Sequence, residues 1–364
     1  MKKLLLSFLF LSFTLGLYAL DVKVLILGPV NSATVQASGP FSLKDLQTNK
    51  IYKVEKGGSF NISQNAQTLK VGSVKTNSGV LITAENNGHF TIKNNQYEGK
   101  LIIKPAAKGF NIIEQIDLEN YLYGVLPYEM SYSWPLEALK AQAVAARTYT
   151  LKSLEDKRMK DFDLYSDVRS QMYKGSVKKY DSVKKAVDGT KGQVLKYKDK
   201  LFYTYYHANC GGHTDQAAWV NKAEDIKPLQ GAKCGYCNKS KNATWKYQAP
   251  QADINNFLKK QKVKGSIKKI KVGDKFSSGR AKNLVFTTTQ EKKTINCNTF
   301  RLAIGSTKLK SCFITKIDGF NFEGRGYGHG RGMCQDGAKG MAQDGKNYKF
   351  ILSRFYPSSD LTKI

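Results

Sequence analysis

"GVLPYEMSYSWPLEALKAQAVAARTYTLKS", residues Gly124–Ser153, decides how the chain is read. Its second half predicts a long helix from about Pro135 to Lys157. Pro135 suits a first helical turn, with Ser133 or Trp134 as the cap. Ala141, Ala143, Ala145 and Ala146 let a second backbone approach closely. The first half holds a single carboxylate, Glu129, among Leu126, Pro127, Tyr128, Met130, Tyr132 and Trp134.

On the N-terminal side of this stretch, residues 20–104 read as β-rich. "DVKVLIL", "TLKVGSV", "GVLITAE" and "HFTIKN" alternate or run β-branched between Gly and Asn punctuation. On its C-terminal side come a short helix around Ser182–Val187 and a strand-like "QVLKYKDKLFYTYYHA". A helix over 250–262, two or three strands in 266–296 and a short helix in "NTFRLAIG" follow. A Gly-rich "GRGYGHGRGMCQDGAKGMAQDG" precedes a last helix, "NYKFILSRFY". No repeat of 20–50 residues is apparent. Strands and helices mix without regular βαβ alternation, which predicts an α+β fold with a long Ala-rich helix.

The chain has 364 residues, 41% hydrophobic and 11% aromatic, enough for a large core. Lys2 and Lys3 precede the apolar run "LLLSFLFLSFTLGLYAL", too short for a convincing span, so residues 1–19 read as a signal peptide ending near Ala19. An uncleaved N-terminal anchor is the alternative; beyond this run no stretch approaches membrane length. The formal charge is +29, or +27 without Lys2 and Lys3. Such a charge favours a polyanionic partner. In an exported protein that is an envelope polymer or an anionic lipid surface. Nucleic acid is disfavoured by the signal peptide and by the lack of any nucleic-acid motif.

A carboxyl packed beside Tyr128, Met130 and Trp134 would be desolvated, which raises its pKa. A raised carboxyl is what protonation of a glycosidic oxygen requires. The bland alternative is an exposed acid whose aromatic neighbours point into the core.

Four blocks occur in order: "LPYEMSYSWPLEALKAQAVAARTY", "SDVRSQMYKG", "YYHANCGGHT" and "GRGYGHGRGMCQDGAKGMA". Together they resemble the sporulation protein IID / LytB family, over roughly residues 105–360. That family holds peptidoglycan lytic transglycosylases and proteins described as amidase enhancers. The resemblance implies a catalytic domain over 105–360 with Glu129 as the catalytic acid. Glu137, inside the helix, serves structure. One carboxyl suffices for a lytic transglycosylase. It protonates the bond between N-acetylmuramic acid and N-acetylglucosamine, then takes the proton of the C6 hydroxyl that closes the 1,6-anhydro ring.

In "SDVRSQMYKG", Ser166, Asp167, Ser170, Gln171 and Tyr173 can bond and stack on sugars, or simply form a capped turn. The family pattern makes Gln171 and Tyr173 groove residues, and Asp167 is the only other acid to test for catalysis. His329, between two glycines, is a site candidate, with Gln335 as its amide partner. Glycine density there suggests backbone facing a ligand or tight packing. Cys334 stands where the family often has a small hydroxyl residue.

Six cysteines are present: Cys210, Cys234, Cys237, Cys297, Cys312 and Cys334. Cys210, Cys234 and Cys237 with one imidazole would make a closed structural zinc site, and some family members carry zinc near this motif. His213 is the freer ligand; His207 occupies the family's groove position and could serve either role. A disulfide among the three, or free thiols, are the alternatives. No other cofactor is expected. Cys297 and Cys312 can pair across a short loop. The resulting expectation is an exported wall enzyme acting on peptidoglycan glycan strands. Its rival is a non-catalytic wall-binding protein that enhances a separate amidase.

Overall fold

The computed structural model describes residues 20–175, 180–217 and 225–364. The proposed signal peptide lies outside these residues. The fold is α+β, as expected.

A seven-stranded sheet runs in the order Leu164–Tyr165, Asp21–Val30, Phe110–Asp117, Lys100–Pro105, Val80–Ala84, Phe41–Asp45 and Ile51–Val54. It faces a six-stranded sheet whose centre is Ser32–Ala37 paired antiparallel with Gly58–Asn65. Alternating residues such as Val22, Val24, Val80, Ile82, Ile112 and Phe90 are buried between them. The β-rich part therefore reaches to Asp117 and also recruits Leu164–Tyr165, which pairs parallel to Asp21–Val30.

Asp117 ends the last long strand and caps α1 (Leu118–Glu129), its carboxylate accepting from Glu119 and Asn120 N–H. The sequence reading did not mark α1 as a helix. Its apolar residues run almost without interruption from Tyr121 to Leu126, all buried, so no amphipathic period is visible. The long helix α2 (Leu136–Asp156) matches the expected span within a residue or two. Its cap is Pro135 itself, without a side-chain bond, rather than Ser133 or Trp134. Around α2 pack α1, α3 (Asp181–Asp188), two further helices near the C-terminus and the strand Gln193–Tyr197. A central helix needs small residues on several faces, and the alanines supply them. Buried Arg147 of α2 forms a bidentate pair with Glu119 of α1 at 2.7–2.8 Å. Removing either partner would strand the other charge, costing about 3–5 kcal/mol.

Residues 244–326 form a lobe with its own core. It contains α4 (Gln251–Lys260), α5 (Cys297–Ile304), the antiparallel sheet Ile267–Val272, Asn283–Thr288, Lys292–Asn296, and a second sheet of Thr244–Gln248, Ile314–Asp318 and Asn321–Arg325. Cys297 and Cys312 are disulfide-bonded within it.

After the lobe, the Gly-rich stretch ends in a helix. Residues Gln335–Gln343 form α6, followed by α7 (Tyr348–Phe355). A Cβ on Gly337 would stand 2.5 Å from Cys234 Sγ, and one on Gly340 would stand 2.4 Å from the Tyr236 carbonyl. These glycines serve close packing of α6 on the "CGYC" loop, which outweighs their poor helix propensity.

Candidate functional site

Glu129 is the last residue of α1, so its carboxylate stands at the negative end of that helix. Its Oε1 accepts a 2.7 Å hydrogen bond from the Met172 backbone N–H. Burial raises its pKa to about 7, against the lowering effects of Met172 N–H and of the Gln335 and Tyr206 side chains. Part of the carboxylate's residue still reaches solvent. The residue is half-buried, and its carboxyl is largely desolvated.

The desolvation does not come from the aromatic residues beside Glu129 in sequence. Tyr128 and Tyr132 are 40% and 46% exposed. Tyr132 stacks on Tyr180 at 4.0 Å, Lys174 covers Tyr128, and Lys339 covers Trp134. These rings flank the acid along the chain as an aromatic, cationic rim. The shield is built from three distant segments. α1 approaches the 171–175 segment so closely that a Cβ on Gly124 would lie 2.3 Å from the Gly175 carbonyl. The strand Tyr206–His207 pairs with Met333–Cys334, which carries Gln335 to the N-terminus of α6. There Gln335 donates at 3.3 Å to Gln142, fully buried in α2. Tyr206 and Gln142 were missed in the sequence. Alternation along "YYHA" is the signal that separates Tyr206 from His207.

The other expected site residues divide. Gln171 is fully buried: its amide oxygen accepts from Tyr121 and Thr150 hydroxyls, and its nitrogen donates to the Ala146 carbonyl. Tyr173 is 2% exposed, packs on Tyr121 and donates to Glu114 at 2.7 Å. Both are corrected from groove residues to the polar core behind Glu129. The 166–170 turn uses Ser170 Oγ to accept from Tyr165 N–H and Asp167 to hold Arg169. Arg169 keeps the Asp167 carboxyl low, so Asp167 is not a proton donor near neutral pH. Ser166 is half-buried, with its N–H on the Leu25 carbonyl. Glu137 bonds Lys140 and the Tyr348 N–H that begins α7, a structural role.

His207 and His329 lie together, ring centroids 5.4 Å apart. Burial lowers His207 to about 3 and His329 well below its usual value, so both are neutral. The groups perturbing His207 are Arg280, Arg331 and Cys237, none of which acts on Glu129. The pair faces the lobe side of the Tyr206–His207 strand.

On that side Cys210, Cys234, Cys237 and Cys334 are all buried, with their Sγ atoms within 4.8 Å of one another. Cys210 and Cys237 sulfurs are 3.5 Å apart. Four thiolates at about 2.3 Å from one zinc stand about 3.8 Å apart, so this set fits a tetrahedral ion. Hydrogen bonds from Cys210 and Cys234 drive the Cys237 thiol far down, while the bonds to Cys234 and Cys237 push Cys210 up and burial pushes Cys334 up. The Cys210 and Gly337 N–H groups both donate to Cys334 Sγ, which is also the α6 cap. A fourth thiol therefore replaces the expected histidine. The His213 imidazole is turned away, donating to the Thr214 carbonyl at 2.6 Å, and His207 donates to the Arg331 carbonyl. Cys334 lies 124 residues from Cys210 and arrives only through strand pairing.

A family model described as Stage II sporulation protein matches residues 106–197, and a domain of unknown function matches 172–332. An uncharacterised protein of Brachyspira hyodysenteriae is 34% identical, over 90% of this chain and 89% of its own. The Bacillus subtilis amidase enhancer is 29% identical over 84% of this chain, which spans half of that protein's length. Stage II sporulation protein D of the same organism is 28% identical over 69% of this chain and 76% of its own.

Proposed function

Starting from the fact that this chain belongs to the SpoIID/LytB family, we propose that it is an exported lytic transglycosylase that cleaves peptidoglycan glycan strands, with Glu129 as acid and then base. The single observation that carries the reading is the Glu129 carboxyl, raised to about 7 by burial on a residue that keeps partial exposure. At neutral pH a large share of it holds a proton. It donates that proton to the glycosidic oxygen as the bond breaks. The carboxylate left behind removes the proton of the substrate's C6 hydroxyl, which attacks C1 and forms the 1,6-anhydro ring. Water is not a reactant, so no second acid is needed. Asp167 and Glu137 are committed to Arg169 and Lys140. The Met172 N–H steadies the charged form between the two steps, with the Gln335 and Tyr206 side chains near enough to lower its pKa. Tyr128 and Tyr132, which are 40% and 46% exposed, offer aromatic surface to sugars near the acid in sequence.

Incubating the purified protein with sacculi and reading the products by mass spectrometry tests this. Anhydro-terminated muropeptides are expected; intact strands with stimulated release of stem peptides by an added amidase would establish the second reading, a wall-binding amidase enhancer. The similarity to a protein of that name supports keeping it.

We assign zinc to the four-cysteine cluster. The ion would be structural: four thiolates leave no open position. It would tie the strand end at Cys210, the "CGYC" loop and the α6 cap together, which fixes Gln335 next to Cys334. The lysine run at the extreme N-terminus and the apolar stretch behind it support export. Among the described residues no helix is long and apolar enough to cross a membrane.

Two expected results follow from this reading. Tyr206→Phe removes a group that lowers the Glu129 pKa. The alkaline limb of the pH–rate profile should therefore move up by about half a unit to one unit, and an unmoved limb would show that the hydroxyl does not touch the acid. Binding to glycan strands should weaken at least tenfold between 0.05 M and 0.5 M salt, because the Debye length, ~10 Å at 0.1 M, falls about threefold over that range. Affinity independent of salt would exclude an electrostatic contribution.

A further inference from the structure

The lobe of residues 244–326 contributes nothing to the surroundings of Glu129, yet it carries the largest share of the charge. Its 83 residues hold 15 lysines and three arginines against five acids, a net +13. By contrast the β-rich residues 20–117 hold 11 lysines and seven acids, a net +4 over 98 residues. A solvated basic surface would spread its lysines; this chain collects them.

Strand register shows where. In the lobe's three-stranded sheet, Ile270, Leu284, Phe286 and Ile295 point to the core. The opposite face presents Lys269 and Lys271 on one strand, Val285 and Thr287 on the next, and Lys292 and Thr294 on the edge. Lys269, Thr287 and Lys292 lie in one row. The lysines on this face are exposed. The backbone positions that carry these lysines are spaced about 7 Å apart along the strand and about 10 Å across the sheet. Lys259, Lys260, Lys262, Lys264 and Lys268 are exposed along the adjoining helix and turn. Among the described residues, the lobe's salt bridges are Lys246–Glu323 and Lys316–Asp318, and neither neutralises this face. Like charges gathered without partners destabilise a sheet by mutual repulsion, so the arrangement calls for an anionic occupant.

Two features fix its chemistry. All the cations of the face are lysines, hydrated point charges rather than the planar forks that read one carboxylate or phosphate bidentately. Leu302 is the lobe's only large hydrophobic among the strongly exposed residues, so nothing on the lysine face would anchor in a bilayer. We propose that this lobe is a separate anchoring surface for a linear polyanion, a polymer bearing one phosphate or carboxylate per repeat. It would hold the protein on its wall while Glu129 acts elsewhere on the strand. This does not depend on Glu129 being catalytic.

The test uses the whole protein, with long-chain polyphosphate and polyglutamate as probes and vesicles containing anionic phospholipid as a third arm. The variant K269E/K271E/K292E is compared with K53E/K70E/K75E, an equal change of charge on exposed lysines of the β-rich part. The lobe variant should lose at least about tenfold in affinity for polyphosphate or polyglutamate, with a salt slope lower by about 2–3, since three contacts are removed. The control should lose less than about threefold. Glutamine in place of glutamate at the same three lobe positions should give a smaller loss in the same order, which guards against misfolding. Release of muropeptides from soluble glycan fragments should be unchanged in every variant that folds. Equal losses in the lobe and control variants, or binding to vesicles with no retention on either polymer, would overturn the proposal.

Discussion

Glu129→Gln should abolish release of anhydro-muropeptides, a loss of at least about 10²–10⁴-fold, while the protein remains folded and still binds glycan. The substitution keeps the shape of the side chain and its contact with Met172 N–H, and removes only the transferable proton. A second signature separates catalysis from structure. Burial lifts the folded pKa to about 7, above the ordinary carboxyl value of 4.5. Between those values the native state binds more protons than the unfolded chain, so stability falls as pH rises from about 4.5 through 7. Above pH 7 the full cost of holding a charged Glu129 is in place. Glu129→Gln removes that cost, so its melting temperature should gain on wild type at pH 8 and lose the advantage at pH 5. Glu114, also buried and raised to about 7, adds the same trend and remains as an internal reference. Near wild-type release of anhydro products by Glu129→Gln would end the assignment.

The second large effect concerns the thiol cluster. Protein isolated from its own envelope should hold about one zinc per chain, and Cys334→Ser should lose most of it. Losing a closed tetrahedral site removes several kcal/mol of folding free energy, which should lower the melting temperature by about 5–15 °C. Cobalt in place of zinc should give the thiolate-to-metal absorption of a four-sulfur site, weakened in Cys334→Ser and unchanged in His213→Ala. Activity should fall in Cys334→Ser through displacement of neighbouring Gln335, with the pH–rate profile shifted upward as that group leaves Glu129. Metal-free, active protein with a Cys210–Cys237 disulfide would rule the zinc assignment out.

Much of the fold was legible because it rests on local patterns. The alternating runs of residues 20–117, the Ala-rich stretch behind Pro135 and the punctuated strands and helices of 250–304 each declare themselves within a window of about ten residues. α1 and α6 did not. In α1 nearly every residue from Tyr121 to Leu126 is buried, so no face is polar enough to reveal a period. In α6 the glycines hide the helical pattern, and they are there for the tight packing their density suggested, because Cys234 and Tyr236 press against the helix.

For the site, the sequence by itself determined the chemistry on offer: one acid in an apolar block, neutral amides, six thiols and a large positive charge. Only the tertiary structure decided which groups meet. Gln171 and Tyr173 look like sugar ligands in a short polar segment, but the closeness of Gly124 to Gly175 turns both inward to satisfy buried partners. Tyr206 and His207 are adjacent in sequence, yet strand alternation sends one toward Glu129 and the other toward Arg280 and the thiols. Cys334 joins cysteines more than 90 residues away because one short parallel pairing holds Met333–Cys334 against Tyr206–His207. The pKa of Glu129 follows the same logic. Residue type permits a proton donor, but the desolvation that makes it one near pH 7 comes from segments folded around it.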